Sequence, residues 1–260
     1  MIEIGSWDVH LTQKENQAIG NRLFQYCWAR EIAERKGFYF KTTPIPGFPK
    51  TYNDILGVKF FENELITPPA TQIFDMDKIN NHMGKLIVDG YSQRYEYYSK
   101  NKKNIKNWLK IEDEDSYEFP DEDDIVVNVR LGDYQYHLPE GWDLPIEYYE
   151  EMLKNEDYKN AYIVCDEPQN PKLNKLLSMG CILKDNIHYG NKKYIADFVF
   201  VKNAKKLIIA NSTFSWWAAF LGESKVYYPC IKFPWIPNPG KNDVNLMVSD
   251  EDRYNFVYWE

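Results

Sequence analysis

The residues best suited to chemistry lie in a polar run at 211–215, Asn-Ser-Thr-Phe-Ser, between the apolar segments 207–210 and 216–221. Asn, Ser and Thr are residue types that cap helix N-termini, so the pattern predicts a buried strand, a polar turn and a helix that Gly222 ends. The N–H groups and the macrodipole of such a helix attract anions. The stretch therefore predicts a phosphate site, with an ordinary capped helix as the structural alternative.

Two other apolar segments also end in polar residues. Arg130 and Asp133 follow the segment 125–129, and Asp166 and Glu167 follow the next one along the chain. Ligands of open parallel sheets bind outside the carboxyl ends of the strands, so we expect the three clusters to converge on one crevice. A guanidinium at a strand end can hold a phosphate through two hydrogen bonds. The alternative for Arg130 is a salt bridge to an acidic neighbour.

Several familiar sites are excluded by their missing patterns. The chain has no dinucleotide-binding GxGxxG, no P-loop and no GxSxG serine motif. The four histidines are far apart and lack metal-ligand spacing. Asp166 and Glu167 could hold a divalent ion, but they lack the Asp-x-Asp spacing. We therefore expect no metal site, and a phosphate leaving group would depend on Arg130 and on helix N–H groups.

Composition bounds the partners and the compartment. The 260 residues carry a net charge of −8, which gives no basic field for nucleic acid or anionic membrane. No apolar run has the length of a membrane span, and the first residues do not resemble a signal peptide. We expect a cytoplasmic chain whose scattered cysteines are reduced core thiols. These are Cys27, Cys165, Cys181 and Cys230.

The elements that position these residues follow from hydrophobic spacing. The second half alternates strand-length apolar segments with helical patterns, which predicts α/β structure with a parallel sheet. In the first half, helical spacing begins near residue 19 and runs to a terminating Gly37. Acidic runs at 112–115 and 121–124 are typical of solvated linkers. We place the boundary within the second run, giving domains of residues 1–122 and 123–260.

Four segments resemble glycosyltransferase family 11, the α-1,2-fucosyltransferases. Residues 20–26, Gly-Asn-Arg-Leu-Phe-Gln-Tyr, are similar to that family's GNQ[ML]FQY, and residues 127–134 resemble its HxRRGDY. The pair 166–167 resembles its strand-terminal acidic pair, and residues 209–219 match its IANSTFSWWAA block almost letter for letter. The segments keep the family's order and extend over most of the chain, from about residue 19 to 229.

The resemblance implies an enzyme of carbohydrate metabolism with a GT-B-like fold, in which two Rossmann-like domains face a cleft. Such an enzyme transfers fucose from GDP-β-L-fucose to a glycan hydroxyl with inversion and typically without a metal. The N-terminal domain would then be the acceptor side, and the C-terminal domain would bind the nucleotide sugar. For a chain of this size we expect a short glycan acceptor.

The same resemblance implies roles for individual residues. Arg130 would bind the diphosphate, residues 212–216 would cradle it at the helix N-terminus, and the pair 166–167 would lie by the nucleoside. Gly20–Arg22 would face the sugar. Asp133 is our candidate general base, although it could also merely orient Arg130 or Asn21. The implied site residues are Gly20, Asn21, Arg22, Asn128, Arg130, Asp133, Asp166, Glu167, Asn211, Ser212, Thr213, Phe214, Ser215 and Trp216.

The chain departs from the family pattern at positions that concern the donor sugar. Asn128 replaces the motif histidine, Leu131 replaces the second arginine, and Arg22 replaces the glutamine after Gly-Asn. Gln17-Ala18 stands in place of the family's double glycine. We hypothesise that Arg22 restores the charge lost at Leu131. A transferase for another nucleotide sugar and a non-catalytic glycan- or nucleotide-binding relative remain the alternatives.

Aromatic residues offer two further interpretations. Trp216 and Trp217, adjacent at a helix start, are typical of core packing and could alternatively form a sugar platform. Tyr91, Tyr95 and Tyr97 lie among polar residues and could line an acceptor groove.

Overall fold

The computed structural model describes residues 1–4, 19–59, 62–66, 74–132, 143–230 and 244–259. The chain is a mixed α/β protein that divides into two compact units. One comprises Met1–Glu112 with Pro237–Leu246, and the other comprises Asp113–Ile236 with Met247–Glu260. This division falls after Glu112, within the first acidic run, whereas the sequence predicts the boundary after residue 122, within the second run.

The first unit contains a parallel sheet of four strands in the order β2-β1-β4-β3. The strands are β1 (Ile2–Ile4), β2 (Phe40–Lys41), β3 (Leu65–Ile66) and β4 (Leu86–Val88). The helices are α1 (Ile19–Lys36), α2 (Met76–Asn81) and α3 (Lys102–Trp108). Since β1 and β4 are parallel neighbours, their carboxyl ends lie at the same edge of the sheet.

Helix α1 is the largest element of the first unit and begins at that carboxyl edge. Its apolar face packs into the core, where Leu23, Phe24 and Cys27 are fully buried. Trp28 is also buried, and its ring stacks on Tyr97 with 4.2 Å between the ring centroids. The helix ends before Gly37, whose φ of +64° is in the left-handed region that favours glycine. The predicted helix and its glycine terminator are confirmed.

The second unit contains a parallel sheet of six strands in the order β10-β9-β8-β5-β6-β7. The strands are β5 (Ile125–Val129), β6 (Ala161–Cys165), β7 (Ile182–Leu183), β8 (Lys206–Ile208), β9 (Lys225–Cys230) and β10 (Tyr254–Tyr258). The helices are α4 (Ile146–Lys154), α5 (Asn174–Ser178), α6 (Lys193–Lys202) and α7 (Thr213–Leu221). The predicted α/β class with a parallel sheet is confirmed.

Counted within the unit, the strand order is 3-2-1-4-5-6, the order of the Rossmann fold. The chain leaves β5 toward β6 on one side, and it leaves β8 toward β9 on the other. The point between β5 and β8 is therefore a topological switch point, where open α/β sheets bind ligands outside the carboxyl ends of their strands. Every residue of β5 is buried, as expected for a central parallel strand.

Helix α7 ends before Gly222 as predicted, but this glycine does not adopt a left-handed conformation. Its backbone is extended, with φ −81° and ψ −173°. A Cβ at this position would lie 2.3 Å from the carbonyl oxygen of Lys202, at the end of α6. The glycine is required because two helix ends approach closely and not because of a special φ.

The remaining compositional predictions concern thiols and membrane spans. All four cysteines are free and buried, which confirms the prediction of core thiols. Within the described ranges, no helix has both the length and the apolar character that a membrane span requires.

Candidate functional site

The three predicted polar clusters follow strands that are neighbours in the second sheet. The order β8-β5-β6 brings residues 128–132, 166–167 and 211–215 to one carboxyl edge. The predicted convergence is therefore confirmed for the residues that the structure describes. Asp133, the candidate base, lies outside the described residues.

Arg130 is held at this edge by Asp166. Its Nη1 atom is 3.0 Å from Asp166 Oδ2, and the Arg130 side chain is 35% exposed. The other carboxylate oxygen, Oδ1, accepts a 2.9 Å hydrogen bond from the Leu131 N–H. Both oxygens of Asp166 thus contact the residues at the end of β5. These contacts orient the guanidinium, and the predicted contact of Asp166 with a nucleoside stays a prediction.

Gly132 permits this arrangement. A Cβ at Gly132 would lie 2.3 Å from Asp166 Oδ2, closer than nonbonded atoms approach. Leu131, at the position of the second arginine in the resembled motif, has a fully buried side chain. One guanidinium is therefore exposed at the end of β5, and its neighbour contributes a backbone donor.

Asn128 joins the central strand to the first turn of α7. Its Nδ2 donates a 3.0 Å hydrogen bond to the carbonyl oxygen of Val164 in β6. Its Oδ1 accepts a 2.7 Å hydrogen bond from the hydroxyl of Ser215. Asn128 and Ser215 are both buried. Their observed contacts are thus positioning contacts, because both side chains bond within the protein.

The N-terminus of α7 has the predicted cap. Ser212 is extended, and its side chain accepts a 3.3 Å hydrogen bond from the Phe214 N–H. The first N–H groups of a helix have no acceptor within it, so those of Thr213 and Ser215 remain available to an anion by helix geometry. Asn211 precedes the cap and is 2% exposed. A strand, a serine cap and a helix that begins at Thr213 form the predicted strand-turn-helix unit.

The aromatic residues of this segment pack in the core. Trp216 is 1% exposed and stacks on Phe220 with 4.9 Å between the ring centroids. The backbone N–H of Trp216 donates to the Ser212 carbonyl oxygen as an ordinary helix bond. Phe214 packs edge-on against Phe198. The assignment of Trp216 to the binding site is therefore not supported by its surroundings, whereas the core interpretation fits them.

Glu167 is anchored by its neighbours. Its N–H donates to the Cys165 Sγ at 3.4 Å, and its carboxylate accepts a 2.9 Å hydrogen bond from Asn170 Nδ2. Burial raises the pKa of the Cys165 thiol to about 12, so the thiol is protonated at neutral pH. This turn therefore contributes one anchored carboxylate and no thiolate.

A groove with a volume of about 340 Å³ opens at the start of α4. It lies between the start of α4, which follows β5, and residues 172–175, which follow β6. An ion pair of 2.7 Å between Lys172 and Asp143 borders it. The lining residues are Asp143, Leu144, Pro145, Ile146, Glu147, Lys172 and Lys175. The groove combines apolar and charged groups, as pockets for small ligands do.

The predicted residues of the first unit lie in the first turn of α1. Gly20 is buried, and Asn21 Oδ1 accepts a 2.9 Å hydrogen bond from Gln93 Nε2. The Arg22 guanidinium donates to the carbonyl oxygen of Pro44. Arg22 thus has a structural bond within the first unit, and its proposed replacement of a lost charge gains no support from this contact.

The acceptor-groove interpretation of the tyrosines is wrong for Tyr95, which is 7% exposed and belongs to the core of the first unit. Tyr97 is half-buried, with its ring stacked on Trp28, so a role in a groove stays a prediction for this residue. Tyr91 is half-buried.

Sequence reasoning missed two residues that shape these sites. Gln93 lies in the polar-aromatic segment after β4, but nothing in its spacing indicates a bond to a residue 72 positions earlier. Gly132 was noted only as part of a motif. A glycine two residues after the arginine that follows a buried strand was the available signal, because such a glycine often permits a close approach.

No group of three or more histidine, cysteine, aspartate or glutamate side chains is placed to hold a metal ion in the described part of the chain. The described site offers one oriented guanidinium and a capped helix N-terminus on neighbouring strands. This arrangement suits an anionic group such as a phosphate. No protein-family model and no curated protein sequence matched the chain in these comparisons.

Proposed function

We propose that the protein is a glycosyltransferase that uses a nucleoside-diphosphate sugar, with GDP-β-L-fucose as the first-choice donor. One observation carries the proposal: Arg130 and the N-terminus of α7 flank the switch point between β5 and β8. The choice of fucose depends on the four segments that resemble family 11. The proposal includes a GT-B-like pairing of the two units and a hydroxyl of a short glycan as acceptor.

The proposed chemistry follows from where charge develops. An inverting transfer has an oxocarbenium-like transition state in which negative charge grows on the leaving diphosphate. Arg130 and the N–H groups at Thr213 and Ser215 would stabilise that charge, and preorganised donors of this kind commonly supply the largest share of catalysis. Asp166 would hold the guanidinium in position. Asp133 is the proposed base that takes the proton of the acceptor hydroxyl.

The groove at the start of α4 is the proposed place for the nucleoside. Its lining segments follow β5 and β6 in the chain, the strands that Arg130 and Asp166 also follow, and its volume is within the range of small-molecule pockets. Leu144 and Ile146 provide apolar surface for a base, and Asp143 provides an acceptor for a hydroxyl. We place the reaction in the cytoplasm, where four free thiols remain reduced.

A second candidate is a transferase for a different nucleotide sugar. The observation that favours it is the buried Leu131 side chain, which replaces a cation of the resembled motif and changes the charge offered to the donor. A nucleotide-binding relative that has no catalytic activity is the third candidate.

Donor hydrolysis and nucleotide binding by the purified chain distinguish these functions. We expect GDP to raise the melting temperature more than UDP or ADP does, and GDP-fucose to release GDP with and without EDTA. Release from another sugar nucleotide alone would support the second candidate, and tight GDP binding without any release would support the third. A melting temperature unchanged by all three nucleotides would contradict the proposal. For an Arg130→Ala variant of the proposed site, the matched control is Arg35→Ala, which removes the charge of an exposed arginine in the first unit.

A further inference from the structure

A second polar site lies at the carboxyl edge of the first sheet. Strands β1 and β4 are parallel neighbours there, and each is followed by polar residues. The first turn of α1, with Asn21, lies after β1, and a turn with Ser92 and Gln93 follows β4. Open α/β sheets bind ligands at the carboxyl ends of their parallel strands, so a ligand site is expected at this edge.

The turn after β4 is tied to α1 through hydrogen bonds. Gln93 Nε2 donates to Asn21 Oδ1 at 2.9 Å. The Tyr98 hydroxyl lies 2.7 Å from the Ser92 carbonyl oxygen and 3.2 Å from that of Phe24. Because Phe24 immediately precedes Gln25, these contacts bring Ser92 beside the second turn of the helix.

Ser92 has a strained backbone. Its φ of +57° lies in the left-handed region, which is unfavourable for a residue with a Cβ. Two backbone hydrogen bonds hold this conformation. The Arg94 N–H donates to the Ser92 carbonyl, and the Asn245 N–H donates to the carbonyl of the next residue, Gln93. Strain that the surrounding structure maintains is concentrated at ligand sites and active sites.

Two buried polar groups at this place have no hydrogen-bond partner among the described residues. They are Gln25 Nε2 and Ser92 Oγ, and the two residues are 3% and 0% exposed. Gln25 lies four residues after Asn21, so both side chains project from the same face of α1. Asn21 and Gln93 are half-buried and reach solvent. Buried groups without partners are rare in native proteins and require an explanation.

The chemistry of these groups defines the ligand. The four side chains are three carboxamides and one hydroxyl, all of them uncharged, and together they both donate and accept hydrogen bonds. The charged neighbours in sequence are engaged elsewhere, since Arg22 donates to Pro44 and Arg94 pairs with Glu96 at 2.8 Å. A neutral compound with several hydroxyl groups satisfies such a set, whereas an anion would find no counter-charge among the four residues.

We propose that Asn21, Gln25, Ser92 and Gln93 form a neutral-sugar subsite in the first unit. A sugar hydroxyl enters at the half-buried Asn21–Gln93 pair, and a second hydroxyl satisfies the buried Gln25 amide and the Ser92 hydroxyl. That this sugar is the acceptor of a transfer rests on the proposed function, but its binding does not. The site therefore binds a neutral saccharide in the absence of nucleotide.

The test is a titration of the full chain with lactose, cellobiose and maltose in the absence of nucleotide. Binding of each disaccharide is measured by saturation-transfer NMR. We expect saturable binding of at least one disaccharide. Gln25→Met keeps the side-chain volume and removes the amide, so the affinity should fall about tenfold, the effect of losing one or two neutral hydrogen bonds. The melting temperature should stay unchanged or rise, because Gln25 Nε2 has no hydrogen-bond partner among the described residues that the variant could lose. Asn81→Ala, at an exposed amide of the same unit, should leave the affinity unchanged.

Ser92→Gly provides a second variant that cannot fail through backbone strain, because glycine accepts the positive φ. We expect a higher melting temperature and weaker saccharide binding. Saccharide affinity equal to wild type in both variants, a melting temperature several degrees lower in Gln25→Met, or no saturable binding of any of the three disaccharides would overturn the proposal. GDP titrations of the same variants separate the two proposals, since their GDP affinity should equal that of wild type.

Discussion

The hydroxyl of Ser215 donates a 2.7 Å hydrogen bond to Asn128 Oδ1, across 87 positions of sequence and between two buried side chains. The same asparagine donates to the carbonyl of Val164, so it joins β5, β6 and the first turn of α7. Arg130 lies two residues beyond Asn128. The bond therefore fixes the helix N-terminus relative to the strand that carries the guanidinium, and it links the two halves of the proposed phosphate site.

Removing this hydroxyl should weaken both the fold and the site. Ser215→Ala leaves the buried Asn128 oxygen without its donor, and an unsatisfied buried group costs about 1–3 kcal/mol. We expect a loss of that size in urea unfolding, with a several-fold weaker GDP affinity. Thr213→Ala is the control for unfolding, because this half-buried threonine has no side-chain hydrogen bond to any of the described residues. Equal losses of stability in the two variants would contradict the role of the bond.

Local sequence was sufficient to predict the elements that carry the second site. The predicted segments at 125–129, 162–165 and 207–210 correspond to β5, β6 and β8 to within two residues. A buried strand followed by a helix cap can be predicted locally, because the apolar residues and the capping residues that determine it are adjacent in sequence. The convergence of the three ends followed from the parallel arrangement alone.

The contacts that complete the sites were not predictable in the same way. The Asn128–Ser215 and Asn21–Gln93 bonds join residues more than 70 positions apart, and no periodicity encodes such a pair. Strands β4 and β10 also escaped prediction. Strand β4 has only three residues, and β10 is defined by pairing with β9, which lies more than 20 residues earlier. Their existence depends on tertiary pairing that overrides weak local preference.

The charge of Arg130 should dominate turnover if the proposed function holds. Arg130→Ala removes the side-chain cation that pairs with Asp166, and the loss of one preorganised donor to a developing anion costs about 100- to 1000-fold in turnover. We expect a loss of several hundred-fold in GDP release from GDP-fucose, with Arg130→Lys intermediate because it lacks the planar fork. A reduction below about tenfold in a folded preparation would be inconsistent with this assignment.

Gly132→Ala should act on the site more than on the fold. The added Cβ meets the end of the short Asp166 side chain, which can rotate away and release Arg130. We expect a lower GDP affinity at a nearly unchanged melting temperature, with the same loss in Asp166→Asn. In the double variant the two losses should not add, because both remove one ion pair. Additive losses would indicate that the glycine acts through another contact.

Gly222→Ala should show the reverse pattern. Its Cβ would lie 2.3 Å from the Lys202 carbonyl oxygen, and this backbone atom cannot move without shifting the end of α6. Overpacking of this kind costs about 1–3 kcal/mol, so the urea midpoint should fall by a corresponding amount. GDP affinity of the folded protein should be preserved, because Gly222 follows the far end of α7. A variant as stable as wild type would show that the two helix ends can separate freely.

The Cys165 thiol should be unreactive in the native protein. Burial raises its pKa from an ordinary value of 9.0 to about 12, so at pH 8 its thiolate fraction is about a thousandfold lower than in the unfolded chain. We expect iodoacetamide to modify Cys165 slowly in buffer and rapidly in urea, as measured by mass spectrometry of its peptide. Equal rates in the two conditions would show that the thiol is exposed.

The same shift predicts how stability depends on pH. A group whose pKa is raised on folding contributes stability that is fully present below the unfolded pKa and is lost as the pH rises through the folded pKa. For Cys165 the loss runs between about pH 9 and 12, at no more than about 1.4 kcal/mol for each pH unit. Cys165→Ala removes this contribution, so its free energy of unfolding should fall less steeply over that interval than that of wild type. Parallel curves for the two proteins would mean that the thiol titrates equally in the folded and unfolded states.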